Sequence, residues 1–300
     1  MTAGEVRRGV AASSEGVDPA LARETWRLVE PLHAMIYFTP EARDRYAELG
    51  LRGQAGYFAS RAAAFGRASA ETVVATFYNF SPAMVRRAIP AAWDITEPET
   101  VLAARLAAVD AALRRVLGPL LESPEVAEAA DLARRAAEAA GEHPSGRPLF
   151  AAHTRLDWPD EPHLVLWHAQ TLLREFRGDG HVAALTVEGI GGLEALVLHA
   201  ATGTVPVDFL KSSRGWSAED WAAAEQELRA RGLLEPGAEL ALTDAGRAQR
   251  EWLEHRTDQL SVPAYRALGV AGCVRLGELA RPLSRAVVDA GLLPGYPARS

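Results

Sequence analysis

The 300-residue sequence has a single cysteine, Cys273, and no long uninterrupted apolar run. One cysteine excludes an intrachain disulfide and any cysteine-rich zinc or iron–sulfur site. The longest apolar stretch, 182–202, is broken by Glu188, Glu194 and His199, whereas a membrane-spanning helix needs about 20 mostly apolar residues. The sequence therefore predicts core helices in this stretch and no membrane anchor.

The N-terminal residues lack an apolar segment behind their two arginines, Arg7 and Arg8. A secretory signal needs such a segment, so we predict a cytoplasmic protein. The formal charge is −7, and binding to nucleic acid would therefore need a local basic face. The chain also lacks HExxH, GxSxG and phosphate-loop motifs and any spacing typical of metal ligands. The sequence predicts no metal site and identifies no cofactor.

Helical periodicity is the strongest feature that the sequence does contain. Apolar residues recur at helical spacing through nearly the whole chain, and alanine, a strong helix former, is abundant. Proline repeatedly stands near the start of a segment, where its missing N–H removes no helical hydrogen bond. The predicted helices are 19–38, 40–49, 53–65, 70–77, 82–92, 98–117, 124–140, 163–176, 180–187, 193–201, 207–212 and 217–231.

The second half contains the pattern of a winged helix. Ser217 has the position of a helix N-cap, and Gly232 suits the end of the same helix. Two short apolar segments, 233–234 and 239–242, flank the turn EPGA and are predicted as strands, and Thr243 caps a long final helix. Helix, two-stranded wing and helix is the order of a winged helix-turn-helix.

A similar start signal occurs in the first half of the chain. There Ser81 is placed as a cap, and Phe80 precedes it as Trp216 precedes Ser217. We interpret this likeness as an internal duplication whose first copy lacks a recognisable wing. The alternative is that two unrelated helices share common capping chemistry.

The segment 141–162 is rich in glycine and proline and is predicted to connect the two halves. The predicted domains are an N-terminal helical, degenerate winged-helix-like domain, 1–145, and a C-terminal winged helix-turn-helix domain, 146–300. The predicted fold class is mainly α, with two tandem winged-helix-like halves and a small two-stranded β-wing in the second.

The order of capped helix, ARGLL, wing and LTDAGR resembles the winged-helix region of MarR-like regulators. Nearly end to end, the chain is similar to actinobacterial SalK-like helix-turn-helix proteins, in phrases such as WRLVEPLHAMIYF, FYNFSPAMVRRA, LLREFRGDGHVAAL and RGWSAEDW. The MarR-like resemblance implies a regulator that binds DNA through its winged helix, usually as a homodimer, and responds to a small molecule.

The charge of the predicted recognition helix, 217–231, opposes that DNA-binding role. It carries four acids against two arginines, and the acids Glu219 and Asp220 lie in the first turn, which would enter the major groove. We therefore predict that DNA binding is weak or lost. The residues predicted to contact DNA phosphates, if any do, are Arg86, Arg87, Lys211 and Arg214.

The stretch LLREFRGDGHVAAL combines several ionisable side chains with two glycines. Gly178 is predicted to end one helix, and Asp179 to cap the next, with Gly180 allowing a tight turn between them. Local structure leaves three of its members unexplained: Glu175, Arg177 and His181.

Polar residues in apolar surroundings in both halves predict a small-molecule pocket between the halves, where ligand sites are common. The candidate ligand-binding residues are His33, Tyr57, Arg61, Tyr78, Asn79, His168, Glu175, Arg177 and His181. For His168 and Glu175 the alternative is a solvated helix face. If the protein is an enzyme, His181 or His33 is the candidate general base, and Arg177 or Arg61 the group that holds an anionic substrate.

The leading functional prediction is a small-molecule-binding protein of the MarR-like regulator type, with its ligand between the halves. Two alternatives stay open at this point. One is an enzyme of specialised metabolism that has reused the winged-helix fold, and the other is a protein-interaction scaffold.

Overall fold

The structure is a computed structural model that describes residues 16–293. The part of the N-terminus on which the prediction about a secretory signal depends lies outside that range. Within it the chain forms fifteen α-helices, short 3-10 segments and no strand, so the mainly α prediction is confirmed. The helices are α1 (Pro19–Ala34), α2 (Pro40–Glu48), α3 (Gln54–Ala62), α4 (Ala70–Phe77), α5 (Pro82–Ala88), α6 (Ala92–Ile95), α7 (Pro98–Leu117), α8 (Pro124–Ala140), α9 (Pro148–His153), α10 (Pro162–Val187), α11 (Gly192–Ala200), α12 (Val207–Arg214), α13 (Ala218–Ala230), α14 (Asp244–Arg266) and α15 (Gly269–Asp289).

The predicted two-stranded wing is wrong. In residues 16–293 the segments 233–234 and 239–242 are joined by one isolated antiparallel bridge, between Leu234 and Leu242. The backbone hydrogen bonds that flank it run from Glu235 N to the oxygen of Ala241 at 2.9 Å and from Thr243 N to the oxygen of Leu233 at 3.2 Å. With so few residues on each side, the pairing ends before a ladder of strands can form.

The caps predicted at Ser217 and Thr243 and the helix end predicted at Gly232 are confirmed. Ser217 Oγ accepts a hydrogen bond from Asp220 N at 3.0 Å at the start of α13, and Thr243 Oγ1 accepts one from Gly246 N at 3.0 Å at the start of α14. Gly232 follows α13 with a φ of 71°, which suits glycine. The cap predicted at Ser81 is not made by its side chain; the Ser81 N–H instead donates to the backbone oxygen of Arg214 at 2.9 Å.

The predicted break at 178–180 is also wrong, because α10 continues through it. Asp179 does cap a helix, but a different one: its Oδ2 accepts a hydrogen bond from Phe150 N, at the start of α9, at 2.9 Å. Gly180 allows a close approach, since a Cβ there would lie 2.9 Å from Nη1 of Arg147. The Arg147 guanidinium lies between α10 and α14, where it donates to the backbone oxygens of Phe176 and Leu260.

The predicted long final helix is two helices, α14 and α15. They meet at Gly269, which has a φ of 63°. Because a non-glycine residue rarely adopts that conformation, this glycine lets the chain reverse between them.

Two apolar cores hold the helices together. The first contains buried residues from 17–176 and from 262–293, and the second contains buried residues from 184–253. Helix α10 contributes to both, with Phe176 in the first core and Ala184 in the second. The division of the chain at 145/146 and the internal duplication stay predictions.

Within the described range no single helix is long and apolar enough to cross a membrane. One bent pair, α10 with α11 at 99°, meets the criteria by length and composition alone. Most of α10 is buried inside the protein.

The continuity of α10 predicts the effect of a substitution at Gly178. Its added Cβ would meet only Glu175 Oε2, at 3.7 Å, so Gly178→Ala should raise the free energy of unfolding by about 0.5–1 kcal/mol, the helix preference of alanine over glycine. Urea unfolding measures the change. In the contrasting variant Gly192→Ala, the Cβ would overlap the Tyr78 carbonyl and lower stability by more than about 2 kcal/mol. Loss of stability in Gly178→Ala would contradict an unbroken helix.

Candidate functional site

A cavity of about 500 Å³ lies between the segment that contains α3 and α4 and the helices α10, α11, α12 and α14. We call it the arginine cleft, because Arg61, Arg174, Arg177, Arg214 and Arg250 all line it. Its volume lies within the usual range for small-molecule sites. The other polar or ionisable lining residues are Tyr57, Thr76, Tyr78, Asn79, Glu175, Asp179, His181, His199 and Glu254.

Most of the predicted ligand residues line this cleft. They are Tyr57, Arg61, Tyr78, Asn79, Glu175, Arg177 and His181. Sequence reasoning missed Arg174, Arg250 and His199 and assigned Arg214 to DNA. The periodicity held a usable signal: Arg174, Arg177 and His181 follow at i, i+3 and i+7, which is one face of a continuous helix. The predicted break at 178–180 concealed it.

His33 lies outside the arginine cleft, in the first core. The hydroxyl of Thr171 donates to the backbone oxygen of Trp167 at 3.0 Å, so at 2.9 Å it accepts from Nδ1 of His33. Nε2 of His33 is then left to accept from the hydroxyl of Tyr37, also at 2.9 Å. Burial holds the pKa of His33 well below its usual value. With both nitrogens occupied and no access to the cleft, this histidine is unsuited to act as a general base.

His168 also lies outside the arginine cleft. It lines a separate cavity between α7, α9 and α10, and its ring meets the edge of Trp158 at a centroid distance of 4.8 Å. Its side chain is 5% exposed, so the alternative of a solvated helix face is wrong for this residue. The same holds for Glu175, which is 4% exposed.

His181 reaches the cleft, and one of its ring nitrogens has no hydrogen-bond partner in the described residues. The Thr257 hydroxyl donates to the backbone oxygen of Leu253 at 2.7 Å, so it accepts from Nδ1 of His181 at 2.8 Å. The remaining nitrogen, Nε2, therefore carries a lone pair. Burial lowers the pKa of His181, against the opposing charge of Glu254. At neutral pH this side chain is an uncharged hydrogen-bond acceptor.

Two of the arginines are neutralised by carboxylates. Nη2 of Arg177 lies 2.8 Å from Asp258 Oδ1 and 3.1 Å from Glu254 Oε2, both on α14. Nε of Arg174 lies 2.7 Å from Glu30 Oε1 on α1. These ion pairs join α10 to its neighbours, and they occupy guanidinium groups that could otherwise bind a ligand.

Arg61 and Arg214 are held more loosely. The nearest carboxylate oxygen to Arg61 is Oε2 of Glu175, 3.7 Å from Nη2, while Nη1 donates to the Tyr57 hydroxyl at 3.0 Å. Arg214 has no carboxylate within 4.0 Å in residues 16–293. It donates only to Ser213 Oγ and lies over the Phe80 ring at 4.7 Å. Both arginines have a buried Nε with no partner among these residues.

The cleft has an excess of positive charge when Asp179 is protonated. Glu30 and Asp258 balance Arg174 and Arg177, so Arg61, Arg214 and Arg250 face the three lining acids Glu175, Asp179 and Glu254. Burial raises the pKa of Asp179 to about 7, and its protonated form leaves one positive charge in excess. Unpaired guanidinium groups in a partly buried cavity favour an anionic ligand.

The four residues predicted to contact DNA are not arranged as a basic face. Nε of Arg86 is 3.3 Å from Glu71 Oε1, the Lys211 ammonium lies over the Trp221 ring at 5.2 Å, and Arg214 lines the cleft. Of these four residues, only Arg87 is exposed and has no ion pair in the part of the chain that the structure describes. The exposed side of α13 carries Glu219, Asp220 and Glu227.

The sequence model of a helix-turn-helix family matches residues 22–294. The chain belongs to this helix-turn-helix family. No curated protein and no solved structure is detectably similar to it. The family suggests a DNA-binding regulator type, and in this helix-turn-helix protein α12, the turn at 215–217 and α13 have the corresponding order.

The raised pKa of Asp179 predicts a pH-dependent effect of Asp179→Asn. Between pH 4 and 7 the folded protein holds a proton that the unfolded chain has lost, so the wild type loses stability as pH rises through that window. The asparagine cannot titrate, and its amide oxygen still accepts from Phe150 N.

The stability of Asp179→Asn relative to the wild type should therefore rise from pH 4 to 7 by at least about 1.4 kcal/mol, the value of one pKa unit. Urea unfolding at several pH values measures it. Two buried histidines, His153 and His168, have pKa values of about 4 and therefore make the protein more stable as pH rises. This contribution is the same in the wild type and in Asp179→Asn, so it cancels in the comparison. A difference that is constant with pH would show that Asp179 is ionised throughout.

Proposed function

We propose that this protein is a ligand-responsive helix-turn-helix regulator of the MarR-like type, whose ligand is a small anion held in the arginine cleft. The observation that carries the proposal is the position of Arg214. It is the last residue of α12, immediately before the turn into α13, and its guanidinium lines the cleft with no carboxylate within 4.0 Å among residues 16–293.

A ligand bound at Arg214 would contact the helix-turn-helix at its own turn. The backbone oxygen of Arg214 accepts from Ser81 N at 2.9 Å, and the indole of Trp216 donates to the oxygen of Asn79 at 3.0 Å. These bonds connect the turn to the segment that also supplies Tyr78 and Phe80 to the cleft. An anion between Arg61 and Arg214 therefore interacts both with α3 and with the end of α12. If it binds one arrangement of these elements more tightly, it stabilises the corresponding position of α13.

His181 adds a second requirement for the ligand besides negative charge. The lone pair on its Nε2 can accept a hydrogen bond from a ligand hydroxyl or amide N–H. The hydroxyl of Tyr78 already donates its hydrogen to the backbone oxygen of Ile190, at 2.6 Å. A ligand with one anionic group and one hydrogen-bond donor matches these groups.

Native mass spectrometry of the purified protein tests the ligand. We expect the wild type to retain a small molecule that is lost in Arg214→Gln, because that variant removes a lining arginine that has no ion pair in residues 16–293. The control is Arg87→Gln, an exposed arginine outside the cleft, which should retain the molecule. Equal retention in Arg214→Gln, or no bound molecule in any of the three proteins, would contradict the proposal.

DNA binding is expected to be weak, because the exposed side of α13 is acidic. With DNA from upstream of its own gene, we expect a dissociation constant weaker than about 1 μM at physiological salt, which is the range of non-specific binding. Affinity should fall steeply as salt rises, and Arg87→Gln should reduce it further. Mobility shifts over a salt series measure both effects. No shift even at low salt would remove DNA from the proposed function.

An enzyme that reuses this fold is the second candidate, and the free nitrogen of His181 is the observation in its favour. A neutral imidazole with a lone pair in a cleft that holds cations can act as a general base. The retained molecule distinguishes the two candidates, since a regulator returns it unchanged after prolonged incubation and an enzyme converts it.

A further inference from the structure

A second cavity, of about 200 Å³, lies nearer the N-terminus of α10 than the arginine cleft does, between α7, α9 and α10. We call it the Arg105 pocket and define it by Leu102, Arg105, Leu106, His153, Trp167 and His168. It shares no lining residue with the arginine cleft. Nothing in the proposed regulatory function uses it.

Arg105 is a buried cation without a counter-ion. It is 3% exposed, and no carboxylate lies within 4.0 Å of it in residues 16–293. Its Nη1 donates to the backbone oxygen of Ser60 at 3.1 Å, and its Cζ lies 5.1 Å from the centre of the Trp167 ring. Removing a charge from water is unfavourable, and these two contacts offset that cost only in part.

The two unpartnered nitrogens of Arg105 are Nε and Nη2. They lie along one edge of the guanidinium, with their hydrogens directed to the same side. This pair of parallel donors matches the two oxygens of a carboxylate, which binds such an edge through two hydrogen bonds. The free edge of Arg105 therefore has the geometry of a carboxylate site.

Further unpartnered nitrogens belong to the same pocket. Nε1 of Trp167 and Nε2 of both His153 and His168 are buried and have no hydrogen-bond partner in the described part of the chain. Nδ1 of His153 donates to the backbone oxygen of Leu149 at 2.9 Å, so its Nε2 is an acceptor. Four neighbouring side chains with unpaired polar atoms are unusual, because nearly all buried polar groups in proteins are paired.

The rest of the lining is mostly apolar, and its other polar members are Thr171 and the exposed Asp157. Leu102 and Leu106 on α7 and Leu156 and Pro159 in the loop after α9 form its outer wall. An apolar cavity of about 150 Å³ holds one benzene molecule in another protein, so about 200 Å³ suits one ring with a small substituent.

We propose that the Arg105 pocket binds a small apolar carboxylate, a single aromatic ring or a branched aliphatic chain, with its carboxylate paired to Nε and Nη2 of Arg105. The hydrocarbon part lies against Leu102, Leu106 and Trp167. The pocket is a binding site separate from the arginine cleft, and it stands whether or not the cleft has the proposed function.

Isothermal titration of the full chain with benzoate tests the proposal, with benzamide as the neutral molecule of the same shape. Benzoate should bind with 1:1 stoichiometry and at least tenfold more tightly than benzamide. Arg105→Lys keeps the charge and removes the two-donor edge, and should weaken benzoate binding at least tenfold. Leu102→Trp fills the pocket from its partly exposed rim and should abolish binding without altering Arg105.

Arg214→Ala is the matched control, because it removes a cation of the arginine cleft and should leave benzoate affinity unchanged. Thermal unfolding of each variant establishes that it is folded before titration. The proposal is overturned if benzoate does not saturate the wild type at millimolar concentration, if benzamide binds equally well, or if Arg214→Ala alone abolishes binding. A crystal soaked in benzoate that shows only water at Arg105 would also overturn it.

Discussion

Arg177 donates to Asp258 and lies within 3.1 Å of Glu254, and this buried ion pair fixes α10 against α14. The pairing of Arg174 with Glu30 fixes the same helix against α1, and Asp179 fixes it against the start of α9. A helix buried on nearly all sides can carry ionised groups only if neighbouring elements supply partners for them. The packing of α1, α9 and α14 around α10 follows from that requirement as well as from apolar contacts.

The character of the arginine cleft is a result of the same ion pairs. Because carboxylates from α1 and α14 satisfy Arg174 and Arg177, the positive charge that remains belongs to Arg61, Arg214 and Arg250, which lie on elements other than α10. A ligand there and the structural ion pairs do not compete for the same groups.

The helices and the caps at Ser217 and Thr243 could be predicted from sequence, because capping and periodicity are local. Seven of the nine predicted ligand residues also lie in the cleft, since polar groups in apolar surroundings need partners wherever they lie. The wrongly predicted break at 178–180 has a different cause. Glycine and aspartate are typical of a helix end, but here they lie inside a helix, where Gly180 makes room for Arg147 and Asp179 caps the helix that contains Phe150. These two partners are distant in sequence, so the local pattern could not reveal them. The position of Arg214 in the cleft could not be predicted, because it depends on how α12 packs on Phe80, a contact distant in sequence.

Helix α10 contributes to both apolar cores, and this sharing has a consequence for how the molecule opens. Neither core can lose its packing completely without exposing part of the helix that the other core depends on. The backbone amide protons in the middle of α10, around Phe176, should be among the last to exchange with solvent, at the rate set by global unfolding. We therefore expect the two cores to unfold together. This holds although the residues of the second core, 184–253, lie in sequence between the two segments that form the first.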